Sequence, residues 1–138
     1  MRVEWGVTKF PAGIVWKKDF YRDALMLIIT FGDKKIDSGS FIIPNLPYFI
    51  GIYLAESGEK DKAYTGTYYH KGGRYYCMPC EPAEGKTLVT EFELADRFQN
   101  LFNEKMIPPV TAIAIETDTR DLKDSGEAFI RKIEFLSD

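Results

Sequence analysis

The chain contains a single histidine among 138 residues, and that scarcity removes whole classes of chemistry. A histidine-dependent triad or a multi-histidine metal centre would have only His70 to work with. There are two cysteines, Cys77 and Cys80, so a four-sulfur zinc site has too few ligands. No apolar run approaches the roughly 20 residues that cross a bilayer as a helix. The opening Met1-Arg2-Val3-Glu4-Trp5-Gly6 lacks the apolar stretch of a secretory signal. An excess of basic residues is also missing. The formal net charge is −3, with Lys and Arg scattered, so nothing draws the chain to nucleic acid or an anionic membrane. No glycine-rich phosphate loop, nucleophile elbow or paired-histidine helix occurs.

What remains is the composition of a folded domain. Hydrophobic residues reach 45% and charged residues 28%, enough to build one sizeable core. Aromatics reach 14%, with eight Tyr and ten Phe, which suits pleated sheet surfaces. Period-two patterning marks strands at Val3–Val7 and Gly13–Trp16, separated by the turn Phe10-Pro11-Ala12-Gly13. The run DALMLIITF, Asp23–Phe31, reads as a central strand buried on both faces. Strands at Ile36–Ile43 and Leu46–Ala55 follow, with Pro44 and Pro47 confined to starts or edges. After the charged loop Glu56–Asp61, Ala63–Tyr69 and Arg74–Cys77 predict a hairpin. Gly72 and Gly73 would supply positive φ at its turn.

Thr87–Phe92 is another strand. In Glu93–Asn103 the residues Leu94, Phe98, Leu101 and Phe102 share one helical face, ahead of Pro108-Pro109. Val110–Thr117 and Glu127–Leu136 close the chain around a polar loop. The expectation is one domain over 1–138: a mainly β, two-sheet antiparallel β-sandwich of jelly-roll type, with about ten strands and one short helix near 93–103.

Four groups of residues are candidates for chemistry. The spacing Cys77-Met78-Pro79-Cys80 suits a redox disulfide or, with His70, part of a zinc site. Against this, the following Glu81-Pro82 is a poor helix start, and two reduced cysteines near a strand end explain the motif as well. Glu116, Asp118, Asp121, Asp124 and Glu127 offer oxygen ligands for calcium, although their spacing departs from the helix-loop-helix motif. His70 beside the glycines is a lone acid or base without an evident partner. Tyr64, Tyr68, Tyr69, Tyr75 and Tyr76 crowd one hairpin. Such rings stack on sugars or meet a protein partner, or they pair across strands and do no more than stabilise the sheet.

The sequence resembles the bacterial domain-of-unknown-function family numbered three thousand and forty-seven. The likeness is carried by Val3-Glu4-Trp5-Gly6-Val7, Arg22-Asp23-Ala24, Leu46-Pro47-Tyr48 and the closing segments Pro109–Thr119 and Ala128–Phe135. The last two are also similar to the final strands of galactose-binding-like jelly rolls. The resemblance implies a two-sheet sandwich and a sugar-like ligand, and it brings no catalytic residues. Members of that family carry more sequence before the tryptophan strand, and often a leader.

The expectation is therefore a non-catalytic binding domain for carbohydrate, using Tyr64, Tyr68, Tyr75, Trp16, His70 and Arg74. No cofactor is required, and calcium is the candidate ion. The alternatives are a protein-interaction or oligomerisation domain and, behind it, a hydrolase or metal-dependent enzyme. A cytoplasmic location is expected for the chain as given, or an extracytoplasmic one if a leader has been removed.

Overall fold

A computed structural model describes residues 1–12, 22–120, 122 and 124–136. These form two sheets and one helix, the mainly β two-sheet sandwich that the patterning predicts. β1 (Arg2–Lys9), β2 (Asp23–Ile36), β3 (Leu46–Ala55), β4 (Ala63–Tyr64), β5 (Gly73–Cys80) and β6 (Leu88–Glu91) precede α1 (Leu94–Phe102). β7 (Val110–Asp118) and β8 (Glu127–Glu134) follow it. One sheet has the order β6-β1-β8, the other β4-β5-β3-β2-β7. The strand expected at Gly13–Trp16 lies outside the described residues, among which eight strands occur.

The core lies where the two sheets face each other. From β1, the alternating Val3, Trp5 and Val7 point inward and are buried. They meet Leu25, Leu27 and Ile29 of β2 and Ile50, Ile52 and Leu54 of β3. Trp5 is fully enclosed, and its Nε1–H donates to Thr90 Oγ1 at 2.9 Å, so its one polar group is satisfied. Phe98 of α1 plugs one end, its ring 4.8 Å from Phe31 and 5.5 Å from Tyr48. The helix stops at Asn103, which takes φ 52° and returns its N–H to Gln99 O, before the prolines are reached.

β2 is central, as its apolar run implied, because its outer face is covered too. Met26 of β2 packs there with Tyr53, Ala55 and Cys77 in a second apolar cluster. This outer face carries the site described below.

Three sequence expectations are corrected. Residues 37–45 form a loop rather than a strand. Ser38 is buried and takes Asn45 Oδ1 at its N–H while its hydroxyl donates to Ile43 O, and Asp37 Oδ1 accepts from Gly39 N–H. These local side-chain bonds outcompete a ladder, and Phe41 and Ile42 are left fully exposed. The sandwich is not wholly antiparallel, since β5 pairs parallel to β3, reached by a crossover through residues 56–72.

The hairpin expected around residues 63–77 is short and wide. Only Ala63 and Tyr64 pair, with Tyr76 and Tyr75. Its positive φ belongs to Tyr69, at 60°, and neither Gly72 nor Gly73 takes one. Those glycines answer a different demand, because a Cβ on Gly72 would lie 2.9 Å from Ile36 Cβ, and one on Gly73 would collide with the Phe49 ring.

The apolar alternation of β7 does not bury that edge strand. Ile113 and Ile115 share the inner face with their partners Ile29 and Leu27, yet stay 43% and 61% exposed. Three strands do not reach across the full width of five.

Candidate functional site

The outer face of the five-stranded sheet holds a cleft of about 450 Å³ beside the β2–β7 edge. Its floor is Met26 and Tyr75, its acidic wall is Asp23, Glu116 and Asp118, and its roof comes from Gly66–Tyr69 and Ile43. Arg22 and Arg120 complete the rim. Each part follows from local structure. Asp23 opens the buried strand and pairs in register with Asp118, while Met26 pairs with Glu116. A bulge between Asp23 and Met26 gathers the three acids at one end.

Tyr75 lies over Gly51, where a Cβ would come 2.8 Å from its Cδ1 and 3.0 Å from Met26 Sδ. The missing side chain lets the ring lie down across β3, braced edge-on by Phe49 at 5.6 Å. Tyr69 anchors the roof, its hydroxyl donating to Pro44 O at 3.0 Å and its N–H to Ser38 O at 2.9 Å. Tyr68 is exposed at the mouth.

The charges divide into two kinds. Asp118 is held in a two-pronged ion pair by Arg120, with Nη2 to Oδ2 at 2.7 Å and Nε to Oδ1 at 3.0 Å, and Arg22 Nη1 stands 3.5 Å from Oδ2. Arg120, chiefly, keeps the Asp118 carboxyl below the usual carboxylate range. Asp23 is the opposite case. It is 2% exposed, and its Oδ1 has no hydrogen-bond partner among the described residues. Burial, with Glu116 and Asp118 adding like charge, pushes its pKa up to about 8. Glu116 is raised as well, by desolvation and then by Asp118. Beside them the Tyr53 hydroxyl is held protonated, by burial and by the charges of Tyr64 and Asp23.

The residues singled out in the sequence are dispersed by the fold. Tyr68 and Tyr75 line the cleft. Tyr64 sits opposite Tyr75 on the sheet edge, with the Lys62 ammonium 5.2 Å above its ring. His70 lies in a neighbouring hollow with Asp37, Ser38 and Lys71, its Nε2 2.8 Å from Thr67 O. Arg74 projects from β5 with Tyr76, on the side opposite Tyr75, where it bonds His70 O and Gly73 O and lies over the Phe102 ring of α1. Trp16 falls outside the described residues.

The metal candidates have other partners. Cys77 and Cys80 are joined in a disulfide, with Cα atoms 5.4 Å apart, so they are neither reduced nor available to a zinc ion with His70. Asp118 is taken by arginines, and Asp124 by Lys9 at 2.8 Å. Glu127 starts β8 opposite Lys9, and Asp121 lies outside the described residues. Among the described residues no three His, Cys, Asp or Glu side chains come together as metal ligands. None of the helices described is long and apolar enough to cross a membrane.

Sequence reasoning missed Asp23, Arg22 and Arg120. The signal for Asp23 was present, in a carboxylate heading a strand read as buried on both faces. No known family model matches the chain, and neither does any curated protein or solved structure.

Proposed function

We propose that the protein is a carbohydrate-binding domain, and that the cleft over Met26 and Tyr75 is its site. The supporting observation is the convergence, in one concave surface, of tyrosine rings with carboxyl and guanidinium groups. Sugar rings present C–H faces that pack on aromatics, and hydroxyls that accept from guanidinium and donate to carboxylate. Tyr68 and Tyr75 supply the faces, and Arg22, Asp23, Glu116, Asp118 and Arg120 the polar groups. The role is binding rather than bond cleavage, because Asp118 is pinned on both oxygens by Arg120 and acts as a fixed wall. This reading agrees with a galactose-binding-like ancestry and uses only part of the sequence-derived residue set, since His70 and Arg74 face elsewhere. The disulfide favours an oxidising, extracytoplasmic setting for such a module.

Tyr68→Ala is expected to weaken glycan affinity about tenfold while changing stability by under about 0.5 kcal/mol, since the ring is exposed. Titration calorimetry on the intact chain and the variant reads the first, and a urea melt the second. Unchanged affinity in both Tyr68→Ala and Tyr75→Ala would show that the cleft is not where the glycan binds. A second reading, a protein-interaction surface, draws on Val110, Ile113 and Ile115, exposed along the edge strand β7.

A further inference from the structure

Resting on the carbohydrate reading, we infer that the group seated against Asp23 is a protonated amine, so that the glycans bound here are amino sugars of the glucosamine class. Asp23 Oδ1 is buried and unpartnered among the described residues, and Asp23 lines the cleft. A buried carboxyl with an empty acceptor leaves a desolvation cost that a ligand donor can offset. The neighbouring charges choose the kind of donor. Asp23, Glu116 and Asp118 give three carboxyls on the wall against two guanidiniums, Arg22 and Arg120, and both guanidiniums already reach Asp118. A ligand cation lets Asp23 ionise with the wall still in charge balance, whereas a neutral hydroxyl leaves Asp23 protonated and brings no counter-charge. Tyr75 and Tyr68 add ring faces, which attract an ammonium by cation–π contact. Tyr53, the other titratable group against Asp23, stays neutral and adds no counter-charge.

The inference carries a proton signature. In the free protein the Asp23 carboxyl holds its proton up to about pH 8. An ammonium stabilises the carboxylate, so the proton leaves for the buffer when ligand binds. A neutral sugar would instead accept a hydrogen bond from the protonated carboxyl and release nothing.

The experiment is calorimetric titration of the whole chain with three hexasaccharides: glucosamine, N-acetylglucosamine and glucose. Buffers of differing ionisation enthalpy, at about pH 5.5 where the amino-sugar nitrogen is charged, give the proton count. The expected result is a preference of at least tenfold for the glucosamine oligomer, with release approaching one proton per site. Asp23→Asn, its fold checked by circular dichroism, should abolish the release and cut the preference below about threefold. Glu116→Gln should weaken the preference and keep the release. Equal affinity for all three sugars, or amine binding without proton release from the unmodified chain, overturns the inference and leaves carbohydrate binding standing. Failure to bind any of the three overturns both.

Discussion

Replacing Trp5 by alanine is expected to cost about 3–5 kcal/mol, the largest loss from any single side chain in the core. The ring is wholly enclosed between the sheets, on the central strand of the three-stranded one. Its neighbours come from both sheets and from the 88–92 region, so the space it leaves cannot be refilled by one rotamer change. A domain of this size is stable by about 5–15 kcal/mol, which makes this loss a large share of the total. A fall in melting temperature of roughly 10–20 °C follows. Trp5→Phe separates the two contributions. It keeps most of the buried area but forfeits the bond to Thr90 Oγ1, worth about 1 kcal/mol. Thr90 still reaches Met78 O at 3.5 Å, so its hydroxyl is not abandoned. Urea unfolding of the three proteins measures these differences, and a loss below about 1 kcal/mol for Trp5→Ala would mean the two sheets do not close over this ring.

The second large effect is a stability that falls as pH rises. An unfolded aspartate loses its proton near 3.8, whereas folded Asp23 keeps its proton to about 8. Between those values the folded chain binds more protons than the unfolded one, so alkalinity favours unfolding. The slope contributed by this one group reaches about 1.4 kcal/mol per pH unit at most. Glu116, also raised, adds in the same direction, while Asp118, lowered by its arginines, acts oppositely in acid. Asp23→Asn removes one ionisable group and leaves the others, so the difference between the two curves isolates it. The variant is expected to gain on the parent steadily from mildly acidic pH up to about pH 8, then hold a constant advantage. Denaturant melts across that range test this, and two parallel curves would show that Asp23 ionises freely in the folded chain.

Sequence patterning reached the architecture because burial leaves a periodic trace. The β2 run, the Leu46–Ala55 strand and the Leu94–Phe102 stripe all lie where their apolar spacing puts them, because each buries the face its period defines. It failed where local chemistry or register decides. Phe41 and Ile42 read as strand residues, but Asp37 and Ser38 bond their own loop and turn the chain out. Gly72 and Gly73 read as turn residues, yet their smallness serves Ile36 and Phe49, residues far away in the chain.

The site was legible in kind and not in membership. Tyr68 and Tyr75 stood out as aromatics, whereas the union of Asp23 with Glu116 and Asp118 depends on the pairing of β2 with β7, separated by about ninety residues. Arg74 shows the converse. Its neighbours in sequence are the tyrosines, but strand alternation turns it to the other face.

Whether the cleft holds a sugar is decided by a glycan-array screen of the purified chain. The array is run with calcium and again with chelator. Specific hits are expected to survive chelation, because Asp118 is already neutralised by Arg22 and Arg120 and no metal is needed to order it. Those hits should vanish in Tyr75→Ala. A blank array in both conditions would contradict carbohydrate binding and transfer the functional reading to the exposed β7 edge.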